Sequence, residues 1–174
     1  MKDLGDDLLE KWCVEVSKWK CYRAKWRALE MLRGSISSHY TKLSSYKAEL
    51  VRVDREGRFE FLLDEGQVFK AFFIGFSSLR KGFLKGCRPI IGFDGCFLKT
   101  FLGGALLSAV TKDANNQMYP ICWAVVAGEN EATWTWFLKL VLEELNITDG
   151  LGWTFISDQQ KVYALTNVII IIII

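Results

Sequence analysis

Two carboxylates stand where apolar runs meet glycine or polar residues. Asp94 lies in Ile90-Ile91-Gly92-Phe93-Asp94-Gly95, and Asp158 closes Trp153-Thr154-Phe155-Ile156-Ser157-Asp158. A carboxylate at the end of a buried strand reaches open space while its backbone stays fixed, and Mg²⁺ prefers such hard oxygen ligands. Spacing alone favours the plainer reading of Asp94, a turn carboxylate accepting backbone amides, because Asp beside Gly commonly does this. Clustered acids can be structural as well as functional. Ser157-Asp158-Gln159 also reads as a helix N-cap. Beyond Asp158 the sequence contains no Asp or Glu.

The elements that must position these acids follow from apolar periodicity. Strands are expected at Ile90–Phe93, Ala105–Thr111 and Tyr119–Val126, with turns at 101–104 and at Asp113-Ala114-Asn115-Asn116. Short connections make these three an antiparallel meander. Asn130 is placed to cap a helix in which Trp134, Phe137, Leu138, Val141, Leu142 and Leu145 recur at three- and four-residue steps. Trp153–Ile156 is then a fourth strand, and a right-handed crossover returns it parallel to an earlier one. If that neighbour is the first strand, Asp94 and Asp158 end side by side.

Upstream, 18–33 has helical spacing through Trp19, Tyr22, Trp26 and Leu29, and a second helix is expected from Ser37 to Arg52. The spacing places Trp19, Tyr22 and Trp26 against a core. Asp54-Arg55-Glu56-Gly57 reads as a turn. Phe59 to Leu63 suits a short strand, and 67–84 reads mostly as a helix interrupted by Gly75 and Gly82.

The 174 residues are half hydrophobic, enough for one ordinary domain and an appendage. The net charge of +2 conceals an asymmetry: 18–33 holds six Lys or Arg against one Glu, whereas 86–174 holds five basic residues against eight acidic ones. Lys18, Lys20, Arg23, Lys25 and Arg27, interleaved with aromatics, are candidates for DNA-backbone contact, alongside the plainer reading of a solvated helix face. Five cysteines form no C-x-x-C pair, which suits a reduced, intracellular protein, and Cys13, Cys21 and His39 lack zinc-finger spacing. The apolar run from Val168 to Ile174 is far shorter than the roughly 20 residues of a membrane-spanning helix, so no membrane association is expected.

Taken together, the ordered segments resemble plant Mutator-like element transposases. The resemblance is carried by Gly86 to Lys99, Leu107-Ser108-Ala109-Val110, Asp113 to Asn116, Tyr119-Pro120-Ile121, Ala124-Val125-Val126, Glu129-Asn130, Trp134 to Leu138 and Trp153 to Lys161. It implies an α/β fold, a ribonuclease H-like mixed sheet preceded by an α-helical region. The implied organisation is a helical region over 1–54 adjoining the family's DNA-binding domain, a connecting segment over 55–86, a partial transposase core over 87–161 and an isoleucine-rich tail over 162–174 that departs from the family. The resemblance further implies a site of two Asp and one Glu holding two Mg²⁺ or Mn²⁺ ions. Asp94 matches the first acid and Asp158 the second, and the family's third acid lies further downstream.

The expected function is therefore that of a Mutator-like transposase fragment, inactive in strand cleavage by itself because the third acid is missing. The alternative is a domesticated relative that binds DNA or regulates transcription. DNA with terminal inverted repeats, homo-oligomers and a nuclear location are what the resemblance implies for partners and place.

Overall fold

The computed structural model describes residues 4–33, 36–99 and 102–158, so the tail at 162–174 lies outside the described residues. The chain divides into two compact units, Met1–Glu49 and Leu50–Ile174.

In the first unit, helix α1 (Leu4–Trp12) is followed by α2 (Lys18–Arg33), α3 (Ile36–Thr41) and α4 (Leu43–Val53), the last running on into the second unit. Cys13 ends α1 in the left-handed region at φ 53, its amide still bonded to the Leu9 carbonyl. The expected single helix from Ser37 to Arg52 is instead two, separated by a turn at Lys42. A second correction concerns α2, in which Trp19 is 65% and Tyr22 51% exposed. Among the described residues, α2 buries Cys21, near Gly5 of α1, where a Cβ on the glycine would lie 3.8 Å from the thiol sulfur. Two small residues let the helices meet on that side, and Trp19 and Tyr22 are left facing outward, whereas Trp26 is half-buried.

The second unit is one six-stranded sheet with the order β1-β2-β5-β4-β3-β6. Its strands are β1 (Arg58–Leu63), β2 (Phe69–Gly75), β3 (Ile90–Phe97), β4 (Ala105–Lys112), β5 (Met118–Val126) and β6 (Thr154–Ile156), with α5 (Ser77–Gly86) and α6 (Glu131–Glu144) between them. The β3-β4-β5 meander is antiparallel, and β6 lies parallel to β3. The segment at 55–86 carries β1, β2 and α5. The helix expected across 67–84 starts only at Ser77, because Phe69 to Ile74 is a strand. Ala71 and Phe73 join the main core while Phe72 and Ile74 join a second cluster with Phe59. A strand covered on both faces reads as a continuous apolar run and carries no alternation.

Gly82 has a specific packing reason. A Cβ there would collide with the Tyr119 hydroxyl, which donates to the Leu79 carbonyl at 3.1 Å and ties α5 to β5. The main core forms where α6 covers the sheet. Trp134, Phe137, Leu138 and Val141 pack over Ile91, Phe93, Leu107 and Phe155, with the Phe93 and Phe137 rings edge to face at 6.4 Å. Asn130 caps α6 as expected: its side chain accepts from the Thr133 amide at 3.0 Å, and the Thr133 hydroxyl accepts from the Asn130 amide at 3.1 Å. Trp134 is fully inside, and Trp136 and Trp153 border the same core.

Candidate active site at the β3–β6 edge

Strand alternation fixes the direction of Asp94. Ile91 and Phe93 point into the core under α6, so Asp94, the next residue, belongs to the opposite face and is exposed. Its neighbour across β4 is Ser108, whose hydroxyl donates to the Asp94 carbonyl at 3.2 Å. One Asp94 carboxylate oxygen accepts the Gly95 amide at 2.8 Å, which is the local bond the turn reading expects. Unlike a turn residue, however, Asp94 is inside the paired length of β3.

On the other side of β3 the partner is β6, with Ile90 opposite Thr154, Ile91 opposite Phe155 and Gly92 opposite Ile156. The pairing ends there, two residues before each acid; continued beyond it, the same register would set Asp158 level with Asp94. Asp158 is likewise exposed. The crossover through α6 has therefore returned the strand that leads to the second acid beside the strand that carries the first. On the same face a cavity of about 320 Å³ begins just before the acids, lined by Ile90, Gly92, Val110, Met118 and Ile156 among others.

The remaining candidates separate from this pair. Lys18, Lys20, Arg23, Lys25 and Arg27 are exposed on α2, in the other compact unit. Asp113 is a turn residue, accepting the amides of Asn115 and Gln117 at 2.8 and 2.9 Å. Among the described residues no three His, Cys, Asp or Glu side chains group in a way that could hold a metal ion. Two carboxylates fit the partial protein ligation of a Mg²⁺ that takes its other ligands from water and phosphate. They do not supply the ligands of a two-ion centre.

Sequence reasoning placed Glu129 only in the segment Glu129-Asn130 and assigned its side chain no role. Its carboxylate accepts the Trp134 indole N–H at 3.0 Å. It also lies 2.7 Å from where a Cβ on Gly95 would stand. The contact is with the residue after Asp94, through the α6 side of the sheet. The signal available in the sequence was the paired requirement of a half-buried acid and a glycine, which no local window contains.

Electrostatics elsewhere in this unit are structural. Burial raises the Glu144 carboxyl above its ordinary value, with the adjacent Arg80 guanidinium opposing the rise. Burial also pushes the Cys122 thiol up, so it is an inert core residue.

Within the described residues, the mixed sheet with one parallel pair and a crossover helix is an α/β architecture compatible with an incomplete ribonuclease H-like fold. Residues 90–169 match the family model of the MULE transposase domain, a span that opens on the first residue of β3 and contains both acids. The chain thus carries a Mutator-like transposase segment. The matched span begins at Ile90, a few residues after the Gly86 at which the resembling segments start, and runs beyond 162, where departure from the family was expected. No curated protein and no solved structure matches the chain.

Proposed function

We propose that this chain is a transposase-derived DNA-handling protein in which Asp94 and Asp158 form the two-acid part of a phosphodiester site. The observation that supports the reading is the parallel β3–β6 pairing, which ends two residues before each acid, inside the span that matches the MULE transposase domain. Asp94 and Asp158 would hold Mg²⁺ or Mn²⁺, which when bound supplies Lewis-acid polarisation of a phosphodiester oxygen. The strand pair would set the spacing of the two acids, and Gly92 and Gly95 keep side chains off the β3 backbone around Asp94. The basic face of α2 contributes sequence-independent phosphate contacts through Lys18, Lys20, Arg23, Lys25 and Arg27. Terminal-inverted-repeat DNA, self-association and a nuclear location complete the reading by family.

By itself the chain cleaves and joins no DNA, because the described residues group no third ligand with the two acids. Incubating the purified chain with terminal-inverted-repeat duplex and Mn²⁺ tests this. Unaltered DNA is the expected outcome, and nicking that disappears in Asp94→Asn overturns the inactivity.

The second reading, a domesticated DNA-binding or transcription-regulating protein, is favoured by the exposed basic α2, which needs no metal to act. Salt titration of duplex binding separates the two. Binding unchanged in Asp94→Asn and Asp158→Asn, with and without Mn²⁺, assigns the affinity to α2 alone.

A further inference from the structure

We infer that the outward side of α2 is a stacking surface for unpaired bases, so that the first unit binds single-stranded nucleic acid in preference to duplex. The inference deepens the proposed DNA contact of α2 and rests on it for the phosphate component. What it adds is a role for the aromatic residues, whose exposure the helical spacing did not reveal.

Trp19 and Tyr22 are more than half exposed, at 65% and 51%, on a helix that buries Cys21. Their rings lie nearly parallel, 6° apart in plane with centroids 5.7 Å apart. At 3.6 residues per turn the two rings share one side of α2. Lys18 and Lys25 border that side on one flank, and Lys20 and Arg27 on the other. All four basic residues are exposed. The result is a ridge of aromatic faces between two rows of positive charge.

Charge identifies the occupant as a polyanion, since 18–33 contains six Lys or Arg and one Glu. The rings select its form. Bases in a duplex are stacked on each other and present only their edges, whereas an unpaired base presents a π-face to an aromatic side chain. Surfaces that combine a positive track with exposed aromatics hold single strands in this way, each stacked base contributing about 1–3 kcal/mol. A helix lying on a membrane instead needs a broad apolar face, and here the outward side carries Arg23 between the rings and the basic flanks.

The test uses the full chain and fluorescence anisotropy with a labelled oligothymidylate and a hairpin duplex of equal charge, at low and at physiological salt. Wild type is expected to bind the single strand more tightly. In Trp19→Ala/Tyr22→Ala the single-strand affinity should fall roughly tenfold or more, the scale of one lost base stack, with duplex affinity nearly unchanged. Trp19→Phe/Tyr22→Phe should restore it. A strand of abasic spacers, which keeps the phosphates and removes the bases, should lose the same factor against wild type, so the result does not depend on the folding of a variant. Equal losses on strand and duplex, no loss with the abasic strand, or tighter binding to phosphatidylserine vesicles overturns the inference. Binding to neither nucleic acid removes the phosphate contact as well, whereas duplex binding without any abasic effect removes the stacking alone.

Discussion

The carboxylate of Glu129 occupies the space into which a side chain at Gly95 would project. An added Cβ would lie 2.7 Å from Glu129 Oε1 and 3.2 Å from the Trp134 ring, while the same Oε1 accepts the Trp134 indole N–H. The glycine after Asp94 is therefore required by packing through the sheet. Its neighbour on the helix side is the loop that leads into α6.

Gly95→Ala is expected to destabilise the second unit by about 1–3 kcal/mol, the usual cost of overpacking a filled site. Glu129→Ala removes the obstructing group and leaves the indole N–H without its acceptor. The double variant should then cost less than the sum of the singles, because the clash exists only when both side chains are present. Denaturant unfolding of the four proteins measures this, and additive losses would refute the contact.

Asp54 substitutes for a missing cap. Phe76 precedes α5 with no side-chain cap, and the Ser77 amide donates to the Asp54 carboxylate at 2.7 Å. Burial pushes the Asp54 carboxyl up, but hydrogen bonds from Ser77, with those of Gly57 and Glu56, outweigh it and hold the group below its ordinary value of 3.8. A lowered acid favours folding when ionised, so its contribution is present above about pH 3.8 and is lost as pH falls through the lower folded value. Asp54→Ala should cost about 1 kcal/mol at neutral pH, as cap removals do. The gap between wild type and variant should close on acidification below pH 3.8. A gap that persists in acid would assign the loss to packing instead.

The legible part of the fold was the part whose signals are local. The β3-β4-β5 meander has one alternating buried face, α6 carries its capping box in sequence, and the crossover rule made the last strand parallel to an earlier one, which the structure shows to be β3. What could not be read depended on distant partners. β2 hides because both its faces are covered, so its run has no period. The face shared by Trp19 and Tyr22 was visible in helical spacing, but spacing does not tell whether a face meets a partner. For the acids, the neighbouring of the two strands that lead to Asp94 and Asp158 was one of the options topology left open, whereas Glu129 met Gly95 only through the third dimension.

Phe137 joins the two ends of that legible core. It is fully buried and packs against Phe73, Phe93 and Trp134, with ring centroids 5.9, 6.4 and 5.8 Å away. Phe137→Ala should cost about 3–5 kcal/mol. That is a large part of a domain's total stability, so the expected readout is a loss of cooperative unfolding by near-ultraviolet circular dichroism. Phe137→Leu, which fills most of the volume, should retain the transition. Equal behaviour of the two variants would mean that α6 does not anchor the sheet.

The acid pair makes a prediction that does not require turnover. If Asp94 and Asp158 share an ion, Mn²⁺ stabilises the folded state by mass action, about 1.4 kcal/mol when the ion is at tenfold its dissociation constant. Thermal unfolding of wild type should therefore shift upward with Mn²⁺ concentration. Either Asp94→Asn or Asp158→Asn should abolish the shift, because one carboxylate on an exposed strand holds a divalent ion weakly. Asp113→Asn serves as the control, since its carboxylate is engaged with the turn amides of Asn115 and Gln117. A Mn²⁺ shift that survives in both acid variants, or that vanishes in Asp113→Asn, would place the ion elsewhere and separate the β3–β6 register from metal binding.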